Sequence, residues 1–188
     1  MNSFYSIEEL KQLGLKSFGK NVLVSRKASI YSPGKIEMGD HVRIDDFCIL
    51  SGEIKLGNYI HISAYSALFG RYGIEMQDYS GISPHGLILS ASDDFSGNYL
   101  INPMIPEEYT HVTGGKVLIS KYVQIGSTCV VMPDLTIHEG SVIAAMSFVN
   151  GNVEPWSVYG GIPAKFIKNR SKELLEKVKT LEEKFYDG

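Results

Sequence analysis

Aliphatic residues recur along this chain at a fixed step of six. From Met38 the stops are Ile44, Leu50, Leu56, Ile62 and Leu68, and from Ile119 they are Ile125, Val131, Ile137, Ile143 and Val149. A shorter run, Met76, Ile82 and Ile88, keeps the step in a shifted phase. The residue four places beyond a stop is also small or apolar, as at Val42, Cys48, Ile54, Ile60 and Ser66, and at Val123, Cys129, Leu135, Ser141 and Ser147. Polar residues and glycine fill the gaps, as in Gly39-Asp40, Gly57-Asn58 and Glu139-Gly140. A period of six is neither the 3.6 of a helix nor the alternation of one hairpin strand. It predicts a short strand, then a corner, repeated. Three steps compose a unit of 18, seen when residues 36–44 are laid on 54–62. A third copy, 74–82, begins 20 residues later, so two residues are inserted near 69–73. Sequence repeats of this kind are the mark of a stacked solenoid.

The pattern breaks at residues 91–116, a stretch rich in polar residues that carries Phe95, Tyr99 and Tyr109. Long breaks in a solenoid are where function concentrates. Ahead of the repeats, Ser6-Ile-Glu-Glu9 reads as a capping box that starts a short helix ending near Gly14. Behind them, Leu174, Leu175, Val178, Leu181 and Phe185 form the apolar stripe of a final amphipathic helix. The chain therefore divides, within one domain, into a lead-in (1–20), the repeats (21–160, with the 91–116 loop) and a tail with its helix (161–188). The loop and the helix stripe both need cover, which predicts a homotrimer.

The hexads resemble those of the hexapeptide-repeat family, whose chains wind as a left-handed parallel β-helix of triangular section. The resemblance spans roughly residues 20–160 and implies an all-β solenoid whose handedness departs from the usual crossover rule. Gly161-Ile-Pro-Ala-Lys165 is similar to the Gly-x-Pro-Ala-Lys ending of that family's acyl-CoA acyltransferases. It implies acyl-coenzyme A as co-substrate, lying outside the prism between two subunits. The pantetheine arm would then follow backbone near Gly126-Ser127 and Ala144-Ala145. The phosphates would meet the basic cluster of Lys165, Lys168, Arg170 and Lys172.

For the acceptor, the family's sugar O-acetyltransferases enter the long loop on a stretch resembling Thr-x-His-Pro, whose histidine is the general base. This chain has Ser90-Ala-Ser-Asp-Asp-Phe95 there, without a histidine. A hydroxyl acceptor depends on such a base, worth about 10²–10⁴-fold, whereas a neutral amine attacks a thioester without prior deprotonation. The acceptor is thus expected to be an amino sugar, and the resemblance described next implies a nucleotide-linked one. Asp93 and Asp94 would hold it, with Ser83 at a corner facing the same cleft. The Ser-Asp-Asp set resembles that of nucleotide-sugar N-acyltransferases, of the kind that acylates dTDP-4-amino-4,6-dideoxyglucose on the route to dTDP-anthrose. An O-acetyltransferase with His85 or His111 as base is the alternative. His41, His61 and His138 are expected at surface corners, and Cys48 and Cys129 as core thiols.

Composition narrows the remaining classes. A net charge of −3 argues against a nucleic-acid or anionic-membrane partner, and no apolar run is long enough to span a bilayer. Two cysteines and an N-terminus without a signal-peptide pattern point to the cytoplasm. The separations from His61 to His85, His111 and His138 are 24, 26 and 27 residues, with no close pair for a zinc site like that of γ-carbonic anhydrases. No metal is therefore expected. A purely structural β-helix would show outward ladders of one residue type, and no regular threonine or aspartate ladder is present.

Overall fold

The computed structural model describes residues 3–186, excluding the side chains of Phe185 and Tyr186. The strands stack in parallel on three faces of a solenoid. One face is built on Ser17–Phe18, Ile36–Met38, Val117–Ile119 and Leu135–Ile137. The second runs from Leu23–Val24 through His61–Ile62 and Gln124–Ile125 to Ser157–Gly160. The third contains Ser29–Tyr31, Leu87–Leu89, Val130–Val131 and Phe148–Val149. Strands Ile49–Leu56 and Ala67–Met76 turn the corner from the third face into the first, joining them in one sheet.

The hydrophobic step explains this wrapping. Every stop points inward, and all are at most 3% exposed, as are Val42, Cys48, Ile54 and Ile60 between them. Buried serines take the small inward positions, and Ser66 and Ser147 satisfy their hydroxyls on the carbonyls of Ser83 and Ala144. Burial raises the pKa of both cysteine thiols, whose Sγ atoms lie 3.2 Å from the Ser63 carbonyl oxygen and 3.0 Å from that of Ala144. They are core thiols, as expected.

The corners follow a rule that periodicity alone leaves hidden. Three residues beyond most stops the backbone is left-handed, as at His41, Phe47, Tyr59, Tyr65, Tyr79, His85 and Tyr122. That conformation costs a non-glycine residue roughly 1–2 kcal/mol. Stacked rings offset it: His41 on Tyr59 at 4.5 Å, Tyr59 on Tyr79 at 4.8 Å, and Tyr65 on both Phe47 and His85 at 5.0 Å. His41 and His85 are thus corner residues. His61 is not: it lies on the flat second face, 2.7 Å from Asp45.

Helix α1 (Ile7–Gln12) carries the complete capping box on Ser6 and Glu9, stops two residues before Gly14, and buries Leu10. A two-pronged bond from Arg26 anchors it and lowers the Glu9 pKa to about 2. At the other end Lys165–Asn169 folds back antiparallel to Ser157–Gly160, and α2 (Leu174–Tyr186) follows. Leu174, Leu175, Val178 and Leu181 are half-buried, and the Phe185 side chain lies outside the described residues. Glu182 accepts a bond from the Tyr79 hydroxyl at 3.0 Å, setting α2 along the first ring ladder. Among the described residues no helix is long and apolar enough to cross a membrane.

Candidate active site

Most of the expected coenzyme residues converge on one corner. Strand register places Ser83, Gly126 and Ala144 in a column where the second face turns into the third, with Ser127 and Ala145 beside them. Gly126 has no room for a side chain, because a Cβ there would sit 2.6 Å from the Ala145 nitrogen. The edge therefore presents backbone and small side chains. Lys165 pairs with Gly160 at the end of this column and Lys168 with Val158. Both are exposed, and neither makes an ion pair among the described residues.

The rest of the basic cluster is used differently. Arg170 is half-buried and points inward, its Nη1 donating to the carbonyl oxygens of Tyr122 at 2.8 Å and Gly140 at 2.9 Å. Burial lowers its pKa. Lys172 lies over the Trp156 ring at 5.4 Å. These two contacts tie the tail to the solenoid.

Ser83 is half-buried, and Gln124 donates to its Oγ from Nε2 at 3.2 Å. The bond occupies an acceptor site of the hydroxyl and leaves its hydrogen available. Gln124 was not singled out in the sequence; its two-residue spacing from Gly126 on the same coil was the available signal. His85 stands two residues past Ser83, exposed, its ring stacked on Tyr65.

The aspartates lie at a different corner. The 91–116 excursion leaves the edge between the third and first faces as an antiparallel hairpin, Ala91–Asp93 against Val112–Gly114. Asp93 lines a cleft of about 790 Å³ with Phe69, Arg71, Asn102, Ile105 and Thr110. Asp94 is not among that cleft's lining residues: its Oδ1 accepts from the Ser96 N–H at 2.6 Å, and its own N–H donates to the His111 carbonyl oxygen. Hydrogen bonds from Ser96 hold its carboxyl below the usual range, with a smaller contribution from His111. The His111 ring stacks on Tyr99 at 5.0 Å within the loop.

Within one chain, then, Ser83 and Asp93 do not meet. The strand Leu87–Leu89 separates their corners. The outward side of this third face is apolar, with half-buried Ala67, Leu87, Leu89, Val130, Met132 and Phe148. The first face instead shows Glu37, Lys55 and Glu75, and the second Arg43, His61 and Gln124. No group of three His, Cys, Asp or Glu side chains is placed to hold a metal among the described residues.

No protein-family model matches the sequence. The dTDP-4-amino-4,6-dideoxy-D-glucose acyltransferase of Escherichia coli is 46% identical over 171 residues, covering 89% of each chain. The solved structure of AntD, an N-acyltransferase from Bacillus cereus, in complex with dTDP and 3-hydroxybutyryl-CoA, is 49% identical with a TM-score of 0.95 over 98% of both chains. A serine-to-alanine variant of AntD in complex with dTDP-4-amino-4,6-dideoxyglucose and coenzyme A matches at 48% identity and a TM-score of 0.96, over 98% of this chain and all of that one. Similarity at this level, sustained through the repeats, the loop and the Pro-Ala-Lys tail, makes this chain a member of the dTDP-4-amino-4,6-dideoxyglucose acyltransferase family.

Proposed function

We propose that this enzyme transfers a short acyl group from acyl-coenzyme A to the amino group of a dTDP-linked 4-amino-4,6-dideoxyglucose. The observation that carries the reading is the relationship to the E. coli acyltransferase across 89% of both chains. The absence of a histidine at the loop entrance supports an amine acceptor. AntD has been solved as single serine and single aspartate variants, the two residue types proposed for this site.

The catalytic unit is a homotrimer. Its support is geometric: the coenzyme edge and the acceptor loop occupy two corners of one chain, at either end of an apolar face. A second copy packed on that face brings its loop to the first copy's coenzyme edge, so Ser83 of one copy and Asp93 of another complete one site. A reducing cytoplasm accords with the two free thiols.

In the reaction, Asp93 receives and orients the amine. The amine nitrogen attacks the thioester carbonyl carbon, forming the C–N bond and a tetrahedral oxyanion. Ser83 donates its hydroxyl hydrogen to that oxyanion, with Gln124 setting the direction of the hydroxyl. Collapse breaks the C–S bond, and the departing thiolate takes the proton that the nitrogen sheds. Gly126, Ser127, Ala144 and Ala145 line the path of the pantetheine arm, and Lys165 and Lys168 hold the phosphates. Asp94 and His111 shape the loop that carries Asp93. The test is thiol release from acetyl-CoA and 3-hydroxybutyryl-CoA against dTDP-4-amino-4,6-dideoxyglucose and its 4-hydroxy counterpart. Turnover with the amine alone is expected; turnover with the hydroxyl sugar alone would return the O-acetyltransferase reading.

A further inference from the structure

The enlargement of the third coil has no part in the stacking of the solenoid. Gly52 pairs with Gly70 and Ile54 with Ile74, so Arg71, Tyr72 and Gly73 stand opposite Glu53 alone. Gly73 takes a φ of 96°, which lets the extra residues bulge outward at the root of the hairpin. Tyr72 is fixed there. The buried Ser90 hydroxyl oxygen accepts its N–H at 2.9 Å, and its own hydroxyl reaches the Val112 carbonyl oxygen at 3.4 Å. A Cβ at Gly114 would come within 2.6 Å of the Tyr72 ring, so the ring lies directly against the hairpin stem that carries Asp93.

Arg71 opens into the same cleft as Asp93 and is the one cation lining it among the described residues. Asp93 and Glu107 both line that cleft, yet Arg71 makes an ion pair with neither; its ring contact is Tyr72, at 5.9 Å. The cleft thus holds a guanidinium and a carboxylate apart, at a volume in the range of small-molecule sites, about 300–1,000 Å³. A nucleotide-linked amino sugar has the matching groups: a diphosphate on one side of the sugar ring and an amine on the other. A guanidinium fork suits phosphate oxygens, and a carboxylate accepts hydrogen bonds from the amine N–H groups. Glu107 is left to accept from hydroxyl or imide N–H donors.

We infer that the bulge at residues 71–73 belongs to the acceptor site, with Arg71 binding the diphosphate of the nucleotide sugar and Tyr72 holding the Asp93 hairpin beside it. The inference rests on the proposed function and adds the residue that selects a phosphorylated acceptor over a free amino sugar. The experiment is titration of wild type, Arg71→Ala and Arg71→Lys with dTDP, alongside kinetics with dTDP-4-amino-4,6-dideoxyglucose and acyl-CoA. Arg71→Ala should bind dTDP about ten- to a hundred-fold more weakly and raise KM for the amino sugar in proportion. KM for acyl-CoA and the melting temperature should stay at wild-type values, and lysine should restore part of the loss. Unchanged dTDP affinity in Arg71→Ala, with the wild type binding normally, overturns the Arg71 assignment and leaves the transferase reading standing. An equal rise in both KM values marks collapse of the loop and also overturns it. A wild-type protein that neither binds dTDP nor acylates the amino sugar overturns both.

Discussion

Gln124 and Ser83, on adjacent coils of the second face, are joined by a side-chain hydrogen bond of 3.2 Å in which the amide donates to the hydroxyl oxygen. This direction leaves the serine hydrogen free, and in the proposed mechanism that hydrogen goes to the thioester oxygen. Ser83→Ala should lower kcat roughly 10²-fold, the size expected for loss of one oxyanion donor. Gln124→Leu, which keeps the bulk and removes the donor, should lower kcat by less, with little change in either KM. Steady-state kinetics beside a thermal melt check this, and a Gln124→Leu enzyme with full kcat removes Gln124 from the mechanism.

Asp93 and the histidines make the second test, because they separate amine from hydroxyl chemistry. Asp93→Asn should lose most of kcat/KM. His85→Ala and His111→Ala should stay within about tenfold of wild type, below the 10²–10⁴-fold expected for removal of a general base. The reverse ranking would mean that a histidine deprotonates a hydroxyl acceptor.

The split of the basic tail predicts two different phenotypes from neighbouring substitutions. Replacing Lys165 and Lys168 together by alanine should raise KM for acyl-CoA while kcat and stability hold. Arg170→Ala should do the opposite, because it leaves the Tyr122 and Gly140 carbonyls without their donor. A loss of about 1–3 kcal/mol is expected for such a change, or a melting temperature lower by several degrees in a chain of this size. An Arg170→Ala protein with wild-type melting and a raised KM would return Arg170 to the phosphate site.

Assembly is the fourth test. Light scattering at micromolar concentration should give a mass near three times the 20.8 kDa of the chain. Leu89→Glu on the apolar third face should shift that mass toward the monomer and abolish activity, since the proposed site draws on two copies. An active monomer would contradict a site divided between Ser83 and Asp93 of different copies.

The hexad step from Met38 and Ile119 was enough by itself to read the solenoid, its buried column and the place of the long loop. The reason is that each inward position has to be apolar whatever lies around it. The capping box at Ser6 and the Pro-Ala-Lys ending were equally local, so they too were legible. What the sequence could not supply was which side of the prism each functional residue occupies. Ser83 and Asp93 are ten residues apart in the chain, close enough to read as one cluster. One six-residue step turns the chain through a whole corner, however, so that interval carries them to opposite ends of a face. Residues far apart in sequence, such as Ser83, Gly126 and Ala144, are instead stacked into one column by the coil register. The same holds for the tail. Four basic residues within eight positions look alike as charges. Only the folded chain, with carbonyls of two earlier coils exposed to Arg170 and the Trp156 ring beneath Lys172, decides which of them hold the fold together and which remain free for a ligand.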